Sequence, residues 1–311
     1  MVGIGNSRVR VLYIAVGLLL WGAPLKGEES TPRKYTRQQV ARMAGNPLSY
    51  LWMLAIQNDT FWLDGSIEGV DKIHANVTTI MPVMPMQLTE KVKLIFRPWI
   101  PIVSIDKPRQ RGDIRLIDPT GDWTAENIAI ENTSWDSGIG DVGFWAAVAS
   151  NEAATPPFVW GVGVTARFDT ASRDEFGSGR YSAGPMGLAF YIGEKWNVGG
   201  ILQHWWDYAG DSQRDHVNLT NFQYAVEYKW SRRVRIGATP NIVYDWENGT
   251  YDVPVGLGAS TVVRIGRLPV SLGFEVDRHW SNNDLIHNQW QLRLTIVPVL
   301  PSPDWSHRPL F

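Results

Sequence analysis

From Asn221 to Trp230 the chain reads NFQYAVEYKW, in which Phe222, Tyr224, Val226, Tyr228 and Trp230 alternate with Asn221, Gln223, Ala225, Glu227 and Lys229. The alternation resumes after Ser231 and Arg232, with Val234, Ile236, Ala238, Pro240, Ile242, Tyr244 and Trp246 in one phase. A period of two sends successive side chains to opposite faces of a strand. Strands of soluble proteins usually stop after about 5–6 residues, and these runs continue for twice that. A strand tilted across a bilayer needs about 9–11 residues. No backbone N–H or C=O can stay unpaired in hydrocarbon, so such strands must close into a barrel. One face then meets lipid and the other the lumen.

The pattern recurs from Leu51 to Leu300 and parses into about twelve strands, near 51–63, 72–87, 91–105, 138–151, 157–171, 180–192, 195–209, 216–230, 232–247, 250–265, 267–281 and 287–300. The connections alternate as well. LTEK, GEK, WSRR and IGRL are short and NEAATPP slightly longer, whereas those on the other side are mostly longer. The longest, 106–137, is polar and without periodicity. An even number of strands, with short turns at one end and long loops at the other, is the pattern of an outer-membrane barrel. The expected fold class is therefore all-β, a transmembrane antiparallel up-and-down β-barrel. A soluble sandwich would place turn signals every 8–12 residues, a closer spacing than this chain shows. Aromatic residues near strand ends, Trp62, Trp196, Trp230, Trp246, Trp280 and Trp290, would form girdles at the two membrane interfaces.

Ahead of the strands, Arg8 and Arg10 precede the apolar run Val11–Ala23. That run suits a signal peptide and is too short to span a bilayer as a helix. A signal peptide is expected over 1–27, with export to the outer membrane of a Gram-negative bacterium. A segment over 28–50 would carry one short helix, with Thr36 and Gln39 in capping-box spacing and Gly45 with Pro47 as the stop. Residues 301–311 would form a C-terminal tail. A net charge of -2 offers no basic field, so no nucleic-acid partner is expected. The absence of Cys excludes disulfides and Cys-based zinc sites.

Several stretches resemble a family of Gram-negative outer-membrane barrels labelled "MetA-pathway of phenol degradation" or transporter, some members of which carry the label neuromedin U. They are QNDTFWLDG, TTIMPVMPMQLTEKVKLIFRPWIPIVS, GIGDVGFWA, FGSGRYSAGP, VGGILQHWWDYAGD, VYDWE with VPVGLGAS, and LPVSLGFEV, between Gly45 and Leu300. The resemblance implies an outer-membrane barrel and a transport role for small, aromatic or hydrophobic compounds. The chain departs from such barrels at its end, where PSPDWSHRPLF follows the last strand.

GIGDVG, Gly138 to Gly143, has the letters of a dinucleotide fingerprint, but no strand precedes it and a strand rather than a helix follows. Small residues against a crowded lumen wall explain it better. The six histidines include no pair at helical i, i+4 spacing, so no metal site and no cofactor is expected. A lipid hydrolase would need a Ser activated by a His. His204 and Ser212 are the available pair, without a hydrolase signature around them, and the chain is read as a non-enzyme.

The polar face carries the chemistry. With the aromatic face on lipid, the lumen receives Lys93, Arg97, Arg167, Asp169, Gln203, Asp207, Gln223, Glu227, Arg235, Asn241, Asp245, Glu275, Asp277 and Arg293. Charges of both signs can pair and fill the lumen, or line a narrow wet channel and orient a polar solute. The expected activity is passive, selective diffusion of a small solute. The alternatives are a closed structural or adhesive barrel acting through its loops, and a lipid hydrolase. Expected partners are outer-membrane lipids and lipopolysaccharide, a small-molecule solute, and the barrel-assembly machinery.

Overall fold

The structure, a computed structural model, describes residues 51–65, 73–108, 113–118, 122–126, 133–151, 157–231, 233–266, 268–284, 286–300, 303 and 306. The expected signal peptide, the 28–50 helix and nearly all of the tail lie outside these residues.

The strands are β1 (Trp52–Asp64), β2 (Ile73–Gln87), β3 (Val92–Pro108), β4 (Asp113–Asp118), β5 (Asp122–Glu126), β6 (Thr133–Ile139), β7 (Gly143–Ser150), β8 (Phe158–Arg167), β9 (Arg180–Ile192), β10 (Trp196–Gly210), β11 (Asn218–Tyr228), β12 (Val234–Ala238), β13 (Asn241–Asp245), β14 (Thr250–Ile265), β15 (Leu268–Ser281) and β16 (His287–Leu300). β6 and β7 both pair with β3 and act as two halves of one wall strand. β12 and β13 likewise share the neighbours β11 and β14. The wall therefore has twelve antiparallel strands, each beside its sequence neighbours. β1 closes the ring on β16, from Trp52↔Leu300 to Asp64↔His287.

Two features depart from the sequence reading. The stretches 138–151 and 232–247 are each interrupted, at Gly140–Val142 and at Thr239–Pro240. Pro240 explains the second break, because it has no N–H for a ladder. The segment 106–137 is not one irregular loop. β3 runs on to Pro108 and β6 begins at Thr133, paired with it, while β4 and β5 form a separate hairpin between them.

Burial alternates along the strands, and the outward positions are apolar. Val148, Val162, Val164, Val198, Leu202, Phe222, Val255, Leu257 and Leu294 are all exposed. A soluble monomer does not leave so continuous an apolar band uncovered. All six predicted girdle tryptophans are outward and exposed, from 36% at Trp62 to 70% at Trp230. Trp196 and Trp230 lie at the short-turn end, and Trp62, Trp246, Trp280 and Trp290 at the loop end. Trp196 and Trp206 bound β10 on its outer face. Ten residues at roughly 3.3 Å each give about 33 Å along the strand, and a tilt of roughly 40° reduces this to about 25 Å, the height of an outer-membrane apolar band. Leu257, 64% exposed at mid-strand, tests that assignment. Leu257→Arg is expected to cost about 2–4 kcal/mol in reversible unfolding from lipid vesicles; an unchanged stability would place this face out of the hydrocarbon.

Candidate functional site: the barrel lumen

The lumen has a capped end and an open-volume end. At the loop end, the β8–β9 connection folds inward. Its single 3₁₀ turn, Asp174–Phe176, drives Phe176 to 1% exposure against Phe61, Leu63, Ile73, Ala75, Val77, Val103 and Ile105. Ile286, from the β15–β16 connection, joins the same cluster. Asp141, in the break between β6 and β7, secures this cap. Its carboxylate accepts from the N–H groups of Thr170 (3.2 Å), Ala171 (3.3 Å) and Ser178 (2.8 Å), and from Ser178 Oγ (3.0 Å). From the β10–β11 loop, Arg214 donates to the carbonyls of Ser178, Gly177 and Asp174. The GIGDVG stretch is thus a docking ledge. A Cβ on Gly138 would lie 2.7 Å from the Phe176 ring, and one on Gly140 would lie 2.9 Å from the Phe176 carbonyl.

Below the cap, towards the short turns, the lumen holds a cavity of about 240 Å³. It exists because inward positions there are small, at Ala55, Ala225, Gly237 and Gly273. One wall is apolar, with Met53, Met81, Val83, Trp145, Phe190 and Ile201; the other is polar, with Gln57, Gln223, Glu227, Arg235, Glu275 and Arg293.

Arg293 on β16 organises the polar wall. Its Nε donates to Asp59 Oδ1 at 2.8 Å, and its Nη1 lies 3.0 Å from the Thr239 carbonyl and 3.5 Å from Glu275 Oε1. Glu275 in turn accepts from Thr239 N–H at 2.9 Å and from Thr239 Oγ1 at 3.2 Å. The backbone groups that the Pro240 break leaves without ladder partners are thereby satisfied by lumen side chains, as buried polar backbone requires. Asp59 also accepts from Gln57 Nε2 (2.7 Å) and Gln291 Nε2 (2.6 Å). The chain of bonds continues from Gln291 through His279 to Asp252. A second cluster joins Arg235 to Glu227 (3.6 Å), Ser260 (3.1 Å) and Ser271 (3.4 Å).

Of the lumen residues expected from the sequence, Arg97, Gln223, Glu227, Arg235, Glu275 and Arg293 line the cavity. Lys93, Arg167, Asn241, Asp245 and Asp277 are buried away from it. Arg167 donates to Ser182 Oγ and lies over the Trp205 ring. Gln203 accepts from Thr165 Oγ1. Asp207 holds the base of the β10–β11 loop through Val217 N–H and Arg180. Asp245 caps its own turn by accepting from Glu247 and Asn248. Asp169 is a correction: β8 ends at Arg167, so Asp169 sits in the cap loop rather than on the wall. Asp59, Thr239 and Asp141 belong to the lumen's polar framework and were not read from sequence.

His204 points outward and bonds Thr220 Oγ1 at 2.7 Å. Ser212 is exposed in the β10–β11 loop, and no hydrogen bond joins the two among the described residues. No group of three or more His, Asp or Glu is placed to hold a metal among the described residues.

No family model matches the chain, and no curated protein matches it. Among solved structures it is similar to the COG4313 outer membrane channel from Pseudomonas putida F1, at 14% identity over 88% of this chain and 100% of that chain, with a TM-score of 0.59. The P. putida toluene transporter TodX matches at 8% identity over 86% of this chain and 95% of that one, with a TM-score of 0.41. A Pseudomonas aeruginosa FadL homologue matches at 8% identity over 84% and 93%, with a TM-score of 0.38. What the first of these likenesses carries is the fold: this chain is a closed twelve-stranded antiparallel β-barrel.

Proposed function

We propose that the protein is an outer-membrane channel through which a small, partly apolar solute diffuses passively. The observation that supports this best is the lumen cavity with one apolar and one charged wall. A barrel built only to be filled would have large inward side chains at Ala55, Ala225, Gly237 and Gly273, where this chain leaves room. The solute would touch the apolar wall with its body while polar side chains of the lumen orient its polar end. The short turns would face the periplasm and the capped loops the exterior of a Gram-negative cell, with lipopolysaccharide and outer-membrane lipid around the aromatic girdles. The COG4313 neighbour, which is named as an outer membrane channel, is consistent with this reading.

The cap at Phe176 and Ile286 favours a second reading, a structural or adhesive barrel that acts through its loops. Ion selectivity separates the two. Arg235→Glu reverses a charge on the cavity wall, and reversal potentials across a bilayer with a salt gradient should then move toward cation preference. An unmoved reversal potential would remove Arg235 from any conducting path and favour the closed barrel.

A further inference from the structure

Arg97 is the one cavity-lining cation without a carboxylate among the described residues. Arg293 has Asp59 and Glu275, and Arg235 has Glu227. Arg97 projects from β3 between Met81 and Trp145. Its Nη2 meets Met81 Sδ at 2.9 Å, a weak acceptor. Its guanidinium lies 5.8 Å from the Trp145 ring centre, within cation–π range. A guanidinium carries five N–H donors in a planar fork suited to a carboxylate. Held against an apolar wall without a counter-charge, it is a costly arrangement that an anion would relieve. The wall around it, with Met53, Val83, Phe190 and Ile201, is apolar.

We infer that Arg97 is the anion-recognition point of the lumen, and that the solute is a small amphipathic carboxylate whose apolar body lies on the Met53–Ile201 wall. This rests on the channel reading and narrows its substrate class. The cavity, about 240 Å³, lies below the roughly 300–1,000 Å³ of drug-sized sites, which limits the ligand to a short chain or a single ring. The carboxylate would accept two parallel N–H bonds from the guanidinium, leaving the Trp145 face of Arg97 in place.

The test compares 4-phenylbutyrate with the neutral 4-phenylbutan-1-ol, titrated calorimetrically into the refolded full chain. Wild type should bind the carboxylate at least tenfold more tightly than the alcohol. Arg97→Met should lower carboxylate affinity at least tenfold, to the level of the alcohol, and leave alcohol binding unchanged. Arg97→Lys, which keeps the charge and loses the fork, should fall between them. Retained heat-modifiable gel mobility shows that each variant has folded. Equal affinity for the two probes, no binding of either, or a carboxylate preference that survives Arg97→Met would each overturn the inference. The channel reading fails separately, if the wild-type barrel does not conduct.

Discussion

Arg293→Met is expected to cost about 3–5 kcal/mol of barrel stability, the range found when one partner of a buried ion pair is removed. The Arg293 and Asp59 side chains are only 4% and 2% exposed. Removing the guanidinium leaves Asp59 and Glu275 without their shared cation and strips the Thr239 carbonyl of a donor. A second substitution, Asp59→Asn, removes one of the orphaned charges and should restore part of the loss. Urea unfolding and refolding in lipid vesicles reads both effects. A cost below about 1 kcal/mol, the scale of a surface pair, would mean that water reaches Arg293 and that the network is not the brace of this wall.

The second large effect is expected at Asp141. Asp141→Ala takes the acceptor from three backbone N–H groups of the β8–β9 loop, those of Thr170, Ala171 and Ser178. Each orphaned donor costs about 1–3 kcal/mol where water cannot replace the carboxylate. The apolar seat of Phe176 does not offset three such losses, since burying one such side chain stabilises by about 1.5–3 kcal/mol. The loop should leave the mouth, raise single-channel conductance severalfold and become open to protease cleavage between 168 and 179. Wild-type conductance together with wild-type protease resistance would show that Arg214, the Phe176 seat and the Ser172–Ile139 backbone bond hold the cap without Asp141.

The twelve-strand wall was readable because a membrane strand repeats a period of two for long enough to stand out from soluble strands. β9, β14 and β16 begin and end where the alternation does. The interruptions were not readable in the same way. Gly140–Val142 and Thr239–Pro240 keep acceptable alternation around them, and only Pro240 carries a local signal. The 106–137 segment hid the β4–β5 hairpin because DIRLID and DWTAE are too short for an alternation to stand out.

The polar wall was partly legible for a related reason. On β11, β15 and β16, charge alternates with apolar residues, so Glu227, Glu275 and Arg293 could be placed inward from their spacing. On β1 both faces carry apolar residues. Asp59 lies between the inward Gln57 and Phe61 with no outward contrast to mark it, and Ala55, Phe61 and Leu63 blur the phase further. Thr239 owes its inward role to the break at Pro240, and Asp141 owes its role to a loop that returns from 30 residues away. Neither relationship is local in sequence. The lone state of Arg97 follows from what its neighbours in space lack, which no strand pattern states.

The central claim is that the lumen conducts, and single-channel recording of the refolded protein in a planar bilayer tests it most directly. The account predicts small, discrete conductance steps, enlarged by Asp141→Ala and altered in selectivity by Arg235→Glu. A barrel that is correctly folded by heat-modifiable gel mobility, yet silent both as wild type and as Asp141→Ala, would contradict it.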